Sequence, residues 1–284
     1  MHNVVCIKQV PDSAQIRVHP VTNTIMRQGV PTIVNPYDLF ALEAALELRD
    51  KIGGQVTVLT MGPIAAEDSL RKALTFGADR AVLLTDRVFA GADTLATTYA
   101  LATAIRKIGE EYGPPDLIFA GKQTIDGDTG QVGPGIAKRL GVVQLTYVAG
   151  ITSLDLASRA LEVERRSEGG VQVLRTKLPC LITMLEATNE IRRGSMMDAL
   201  RAARTDIVKW NAQDAGVADI SKCGLKGSPT IVKRVFAPSK RAERAMLVED
   251  ANQPVPALID AIFKHRPKLE AELAALARAS DLKP

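Results

Sequence analysis

Cysteine and histidine are scarce in this 284-residue chain, with three of each. The cysteines (Cys6, Cys180 and Cys223) lie far apart and give neither a disulfide framework nor a zinc-binding pattern. The histidines are scattered, and none belongs to a visible constellation of nucleophile, histidine and acid. If the protein performs chemistry, we expect a bound cofactor to carry it.

Long apolar runs and aromatic residues are also in short supply. No apolar stretch approaches the ~20 residues of a membrane-spanning helix, so we expect no direct membrane insertion. The first residues run into a strand-like pattern without the features of a signal peptide, which predicts a cytoplasmic protein. The formal net charge is +4, and the basic residues of the last third are not interleaved with aromatics. A solvated or partner-facing surface is therefore expected there, and nucleic acid is not expected as a ligand.

The first half of the chain alternates between strand and helix patterns. Apolar runs at residues 3–10, 55–61 and 117–120 predict buried strands, and amphipathic stretches that follow Asn35, Pro63 and Asp93 predict helices. Several of the strands are apolar on both faces. We therefore predict the α/β class, with a Rossmann-like, mostly parallel sheet that carries helices on both faces.

Beyond residue 150 the pattern changes. Residues from about 151 to 185 predict an antiparallel extension, and residues 205–253 have weak periodicity and many turn-forming residues. A final amphipathic helix is expected from Val255 to about Ala279, interrupted by Pro267. We predict a nucleotide-binding α/β domain over residues 1–204, and a C-terminal arm and helix over residues 205–284 that pack on a partner subunit.

The glycine-rich stretch 116–135, DLIFAGKQTIDGDTGQVGPG, is the most informative segment. A strand, a loop of small residues and a helix start form a cradle for phosphate groups. Asp126 and Asp128 would repel a phosphate unless they point to a sugar or to loop amides. Because the spacing matches neither the G-x-G-x-x-G fingerprint nor the P-loop, an ordinary glycine-rich turn is an equally open interpretation.

Four segments are expected to meet at the carboxyl edge of the sheet, where open parallel sheets bind ligands. They are the helix start at Asn35 and residues 61–63, 91–94 and 121–132. The helices that begin near Asn35, Asp93 and Val132 would aim their amide ends at this edge. Several converging helix starts favour an anion site more strongly than one loop does.

Residues 163–183, VERRSEGGVQVLRTKLPCLIT, resemble the signature of electron-transfer flavoprotein beta subunits position by position. The segments CIKQVPD (6–12), NPYDLFALEAALELRD (35–50), FGADRA (76–81) and GKQTIDGDTGQ (121–131) agree, so the resemblance covers essentially the whole chain. It implies a Rossmann-like fold, an arm that reaches around the partner, and a heterodimer with an alpha subunit that holds one FAD.

The resemblance also implies a nucleotide pocket in this chain. In the housekeeping branch of the family the pocket holds a structural AMP, and in a bifurcating, nitrogen-fixation-associated branch it holds a second FAD. The resemblance implies no catalytic acid or base here. Carried onto this sequence, the cofactor-binding residues are Cys6, Asn35, Pro36, Tyr37, Asp38, Met61, Asp93, Thr94, Thr97, Gly121, Lys122, Gln123, Thr124, Ile125, Asp126, Gly127, Asp128, Thr129, Gly130, Gln131 and Val132.

The loop sequence favours the bifurcating branch. The housekeeping branch resembles D-D-D-x-x-Q-T here, whereas this chain has Gly127 and Gly130 where a diphosphate would pass, and Asp93, Thr94 and Thr97 at a helix start. Membership implies hydride transfer from NADH to the FAD of this chain. One electron would then go to the alpha-subunit FAD, toward a quinone oxidoreductase or acyl-CoA dehydrogenase, and the other to ferredoxin or flavodoxin. The alternatives are a housekeeping subunit that holds AMP and docks dehydrogenases without bifurcation, and an adenine-nucleotide hydrolase or sensor of similar fold.

The resemblance places a partner-recognition loop at residues 189–203, with Met196 as its anchoring apolar residue. Exposed methionines adapt to more than one partner surface. The alternative is that Met196 and Met197 begin a helix that faces the core. The chain departs from the family at Ile191 and Arg193, where proline and tyrosine are common.

Overall fold

The computed structural model describes residues 1–12, 17–18, 25–26, 31–231 and 254–280. They belong to two compact units, Met1–Ala237 and Pro238–Pro284. The helices are α1 (Pro36–Ile52), α2 (Glu67–Phe76), α3 (Thr94–Tyr112), α4 (Val132–Leu140), α5 (Met196–Arg204), α6 (Pro254–His265) and α7 (Pro267–Ser280). The strands are β1 (His2–Cys6), β2 (Gln9–Pro11), β3 (Arg17–Val18), β4 (Ile25–Met26), β5 (Thr32–Val34), β6 (Gln55–Met61), β7 (Arg80–Leu84), β8 (Leu117–Gly121), β9 (Val143–Asp155), β10 (Ala160–Ser167), β11 (Gly170–Lys177), β12 (Cys180–Met184) and β13 (Ile207–Trp210).

Within the described residues of the first unit, one nine-stranded sheet has the order β11-β10-β9-β12-β8-β1-β6-β7-β13. Every neighbouring pair from β9 to β13 in this order is parallel, and the two pairs formed by β10 with β9 and β11 are antiparallel. Two short antiparallel pairs, β2–β5 and β3–β4, lie outside this sheet. The predicted α/β class, with a mostly parallel sheet and an antiparallel extension, is confirmed.

Helices cover both faces of the sheet, because the central strands are apolar on both sides. In β1, Val5 packs in the core that contains Leu42 of α1 and Leu70 of α2. Its neighbour Val4 packs in the opposite core with Ile105 of α3, and Ile136 of α4 belongs to that same core. Successive side chains of a strand point to opposite faces, so one strand contributes to two cores.

The direction of β12 and the sheet pairing of β13 differ from what the sequence predicts. The strand β12 lies in the segment predicted to be antiparallel, yet it runs parallel to β8 and β9. It is buried along its whole length, which fits an interior parallel strand better than an extension. The strand β13 pairs with β7 although it follows residue 204, so the first compact unit continues past the predicted domain boundary.

The second unit contains α6 and α7. Pro267 is the first residue of α7, so the interruption expected from the sequence separates two helices. Apolar side chains on both helices are exposed to solvent: Leu258, Ile259, Ile262, Leu273 and Leu276.

Candidate functional site

Three of the segments expected at the carboxyl edge are joined there by side-chain hydrogen bonds. Asn35, which precedes α1, bonds the loop that follows β8. Thr94, the first residue of α3, donates a hydrogen bond to Gln131, which immediately precedes α4 (Oγ1 to Oε1, 2.8 Å). The amino ends of α1, α3 and α4 therefore meet around residues 121–131, which we call the rim loop. The fourth segment begins at Met61, which ends β6 at this edge beside Leu84.

Asn35 supports the rim loop from inside the protein. Its side chain is fully buried, donates to the carbonyl of Gln123 (2.9 Å) and accepts from the amide of Ile125 (3.2 Å). It occupies the N-cap position of α1, but its side chain makes no capping bond to that helix. Contact between this residue and a nucleotide stays a prediction, and the side chain points towards the backbone of the loop.

Asp38 joins the ends of β1 and β8. Its carboxylate accepts hydrogen bonds from the amides of Lys8 (2.7 Å) and Gly121 (3.1 Å), and the residue is 4% exposed. Burial raises the pKa of Asp38 to about 7, against the opposing effect of hydrogen bonds from Asn35, Lys8 and Gly121. A Cβ at Gly121 would lie 2.4 Å from Oδ1 of Asp38, so the close approach requires glycine. Beside it, burial raises the pKa of the Cys6 thiol to about 12, which leaves the thiol protonated and unreactive.

The two acids of the rim loop are both engaged by other side chains. Lys8 donates to both carboxylate oxygens of Asp126, at 2.8 and 2.7 Å. Desolvation opposes ionisation of Asp126, but the hydrogen bond from Lys8 helps to bring its pKa below the ordinary value. Asp128 accepts a hydrogen bond from Gln123 (2.7 Å). The lysine compensates part of the negative charge that would oppose phosphate binding. The sequence alone does not predict this compensation.

The rim loop is shaped by its own backbone. The amide of Asp128 donates to the carbonyl of Thr124 (2.8 Å), and the amide of Gly127 donates to the same carbonyl (3.3 Å). Asp128 and Gly130 both have positive φ, of 51° and 63°. The amides of residues 127 and 128 are thus used inside the loop. The donors suited to an anion are the amides of Val132 and Gly133, which have no intrahelical acceptor in the first turn of α4, whereas Pro134 has no N–H.

Two glycines at the start of α4 serve packing. A Cβ on Gly133 would lie 2.5 Å from Cγ2 of Thr183 in β12, and a Cβ on Gly135 would lie 2.5 Å from Cγ2 of Thr98 in α3. These residues let α4 sit close to the sheet and to α3. From the sequence alone, Gly133 and Gly135 are not distinguishable from the glycines of the predicted phosphate cradle.

The remaining predicted residues surround the same edge. Lys122 has its ammonium 5.0 Å from the ring centroid of Tyr37 and 5.9 Å from that of Tyr147, and its amide bonds the carbonyl of Met184 (2.8 Å). Asp93 caps α3 by accepting from the amide of Ala96 (3.0 Å). The residues Pro36, Met61, Thr97 and Val132 are half-buried, and Thr129 is exposed.

Met196 lies on a different element, at the start of α5. Its side chain is 76% exposed and that of Met197 is 73% exposed, so neither packs into the core. The helix is fixed to α2 by reciprocal arginine bonds: Arg71 donates to the carbonyls of Ala202 and Thr205, and Arg201 donates to those of Leu74 and Ala78. A cavity of about 460 Å³ adjoins this helix and is lined by Lys72, Thr75, Phe76, Ile191, Arg192, Arg193 and Gly194.

Lys8 was missed by the sequence analysis as a functional residue. Its partner Asp126 is 118 positions away, and no local pattern marks such a pair. Across the described part of the chain, His, Cys, Asp and Glu side chains nowhere cluster in the way a metal ion needs. In the same residues, none of the helices combines the length and apolar character required to cross a membrane.

Comparisons with known proteins identify the family of this chain. The family model described as "Electron transfer flavoprotein domain" matches residues 22–215. The chain is 81% identical over 278 residues to "Protein FixA" of Bradyrhizobium diazoefficiens, covering 98% of this chain and 96% of the relative. It is 62% identical to "Protein FixA" of Azotobacter vinelandii, covering 96% and 99% of the two chains. It is 47% identical over 234 residues to "Electron transfer flavoprotein subunit beta" of Clostridium acetobutylicum, covering 82% and 87%. The chain therefore belongs to the electron transfer flavoprotein family, as a beta-type subunit that takes part in electron transfer.

Proposed function

We propose that this chain is the beta subunit of a cytoplasmic, bifurcating electron-transfer flavoprotein and that its rim loop holds an FAD. The observation that carries the proposal is the hydrogen bond between Thr94 and Gln131, which brings the start of α3 against the start of α4. The amide end of α4 and the threonine hydroxyls at the start of α3 offer two adjacent positions for phosphate groups. A dinucleotide has two phosphates to place, whereas AMP has one.

The residues present fit such a group. Donors for the diphosphate would come from the first turn of α4 and from the hydroxyls of Thr94 and Thr97, which lie one helical turn apart on the same face of α3. The Thr94 hydroxyl would then donate to phosphate in place of Gln131. Gly127 and Gly130 leave the space beside the loop free of side chains. A Cβ on Gly127 would lie 3.4 Å from Oγ1 of Thr124, and a Cβ on Gly130 would lie 3.5 Å from the carbonyl oxygen of Lys122. Lys8 compensates the charge of Asp126, which leaves the loop less repulsive to phosphate.

The FAD would supply the chemistry, which is to accept a hydride from NADH and to pass the two electrons on separately. The chain would bind and orient it. Asn35 and Asp38 would hold the loop in place from below, through their bonds to the backbone of residues 8, 121, 123 and 125. No catalytic acid or base is assigned to this chain.

The proposed partners follow from the same assignment. An alpha subunit would complete a heterodimer and hold the second FAD, which would deliver electrons toward a quinone oxidoreductase or an acyl-CoA dehydrogenase. Ferredoxin or flavodoxin would accept the other electron. The high identity to the FixA relatives supports a role in nitrogen fixation. Met196, exposed on a helix that is fixed to α2, is proposed as the docking residue for an acceptor protein.

A count of cofactors tests the proposal. The complex with the alpha subunit should release two FAD per heterodimer on denaturation, measured by flavin absorbance and by chromatography of adenine nucleotides. One FAD and one AMP would refute the proposal and establish the housekeeping role. In the same preparation, Met196→Ala should slow electron delivery to the acceptor protein without changing the flavin count, with the exposed Leu156→Ala as control.

A further inference from the structure

Asp93 is shared between a helix and a distant segment of the chain. Its Oδ1 accepts from the amide of Ala96 at the start of α3 (3.0 Å). Its Oδ2 accepts from both the amide (3.1 Å) and the hydroxyl (2.8 Å) of Thr230, which lies 137 positions later in the sequence. Desolvation opposes ionisation, but these hydrogen bonds outweigh it and lower the pKa of Asp93 below its ordinary value.

A second side chain from the same distant segment holds the backbone of Asp93. The amide of Asp93 donates to the hydroxyl of Ser228 (2.8 Å), and that hydroxyl donates to the carbonyl of Gly224 (2.6 Å). Ser228 is buried. Asp93, Ser228 and Thr230 are called the Asp93 clasp below.

The segment that supplies the clasp is packed tightly against the residues that lead into α3. The amide of Leu225 donates to the carbonyl of Ala90 (3.2 Å), and a Cβ on Gly224 would lie 2.2 Å from the carbonyl oxygen of Val88. Gly224 also has a positive φ of 54°, which favours glycine. The position of residues 224–230 is therefore closely defined by packing as well as by hydrogen bonds.

The clasp stands next to the proposed phosphate site but is not suited to contact a phosphate. Both carboxylate oxygens of Asp93 already accept hydrogen bonds, and its negative charge would repel an anion. The next residue, Thr94, carries the hydroxyl that bonds Gln131 at the start of α4. Hydrogen bonds thus join Thr230 and Ser228 to Asp93, and the adjacent residue Thr94 to Gln131.

We propose that Ser228 and Thr230 are positioning residues of the nucleotide site: through Asp93 they fix the start of α3, so that Thr94 and Thr97 face the phosphate groups of the ligand. The proposal rests on the proposed function and deepens it, because it names residues outside the rim loop that set the affinity for the phosphate end of the nucleotide. Asp93 becomes a positioning residue as well, in place of the direct cofactor contact that the resemblance implied.

The test is a ligand series on the complex with the alpha subunit, after its nucleotides are removed. Adenosine, AMP, ADP and FAD are titrated against the unaltered complex and against the Ser228→Ala/Thr230→Val double variant. The double variant loses the hydroxyls that hold Asp93 and, through it, the start of α3, so the Kd for ADP should rise about tenfold or more, whereas that for adenosine should stay within about twofold. Thr230→Ser keeps the hydroxyl and should restore ADP binding when Ser228 is intact.

Thr205→Val is the matched control, because its hydroxyl also donates to one backbone carbonyl, that of Arg201, at the end of α5. It should leave the whole ligand series unchanged. Equal weakening of adenosine and ADP in the double variant would show a general loss of structure and overturn the proposal, as would unchanged ADP binding. The result is separable from the cofactor count: a complex that carries AMP would refute the FAD assignment, while the contrast between adenosine and AMP would still test the clasp.

Discussion

Several side chains of the candidate site support the backbone around it. Sequence resemblance placed Asn35 and Asp38 among the cofactor contacts, yet both side chains turn inward and bond the backbone of residues 8, 121, 123 and 125. A sequence motif identifies positions near a ligand, but it does not say which way a side chain points. Asp38 shows this most clearly, because its buried carboxyl bonds the amides of Lys8 and Gly121 at the ends of two strands.

Replacement of Asp38 by asparagine should change how the free energy of unfolding depends on pH. Burial raises its pKa from 3.8 to about 7, so the folded protein binds this proton more tightly than the unfolded chain. The stability contributed by the protonated form is then fully present below about pH 4 and is lost as the pH rises through about 7. Asparagine cannot accept from both amides and should cost about 1 to 3 kcal/mol. The free-energy deficit of Asp38→Asn, from urea unfolding, should therefore be larger at pH 5 than at pH 8.

The exposed residue Asp206 provides the control, since Asp206→Asn changes a surface side chain and should alter the free energy of unfolding by no more than about 0.5 kcal/mol. A deficit for Asp38→Asn that is constant from pH 5 to pH 8 would mean that Asp38 stays ionised throughout this range. In that case the carboxylate, and not its protonated form, would be the resting state beneath the rim loop.

At the scale of elements, the position of α4 decides where the rim loop sits. Gly133 contacts β12 and Gly135 contacts α3, whereas Gly127 and Gly130 belong to the loop itself. The sequence showed five glycines in one stretch and could not separate these two roles, because close approach between residues 37 and 50 positions apart leaves no local pattern. The strand, the loop and the helix were nevertheless predictable from hydrophobic pattern and turn chemistry.

Gly133→Ala tests whether the close packing of α4 against β12 is needed for nucleotide binding. Alanine is favoured over glycine in a helix by ~1 kcal/mol. The new Cβ would lie 2.5 Å from Cγ2 of Thr183, which is buried, and overpacking of this kind costs about 1 to 3 kcal/mol. We expect net destabilisation and reduced nucleotide occupancy, measured by urea unfolding and by the cofactor content of the purified complex.

A second substitution makes this prediction specific. Thr183→Ser removes the obstructing methyl group and keeps the hydroxyl that accepts from the amide of Tyr147 (3.2 Å), so Gly133→Ala/Thr183→Ser should recover stability and occupancy. Gly150→Ala is the control, because its Cβ would have no neighbour within 4 Å. Failure of Thr183→Ser to rescue would place the cause outside this contact.

At the scale of the whole molecule, the fold class was predictable and the boundary between regions was less so. Alternating apolar strands and amphipathic helices specify a covered parallel sheet, which the structure confirms. The strand β13 was assigned to the arm because four residues between turn-rich segments give too short a pattern to read. Its pairing with β7 depends on a sheet edge formed more than a hundred residues earlier, which only the assembled fold provides.

The helices of the second unit expose apolar side chains. Leu258 and Ile262 of α6, 57% and 41% exposed, are four positions apart and so lie on one face. Exposed apolar faces of this kind mark interaction surfaces, and the proposed alpha subunit is the expected occupant. Leu258→Ser/Ile262→Ser should raise the Kd of the heterodimer more than tenfold, since each buried aliphatic side chain contributes about 1.5 to 3 kcal/mol. Lys268→Ser/Glu272→Ser, an exposed polar pair with the same spacing on α7, should leave the Kd unchanged in the same sedimentation titration. Equal Kd values for the two double variants would mean that the apolar face of α6 lies outside the interface with the alpha subunit.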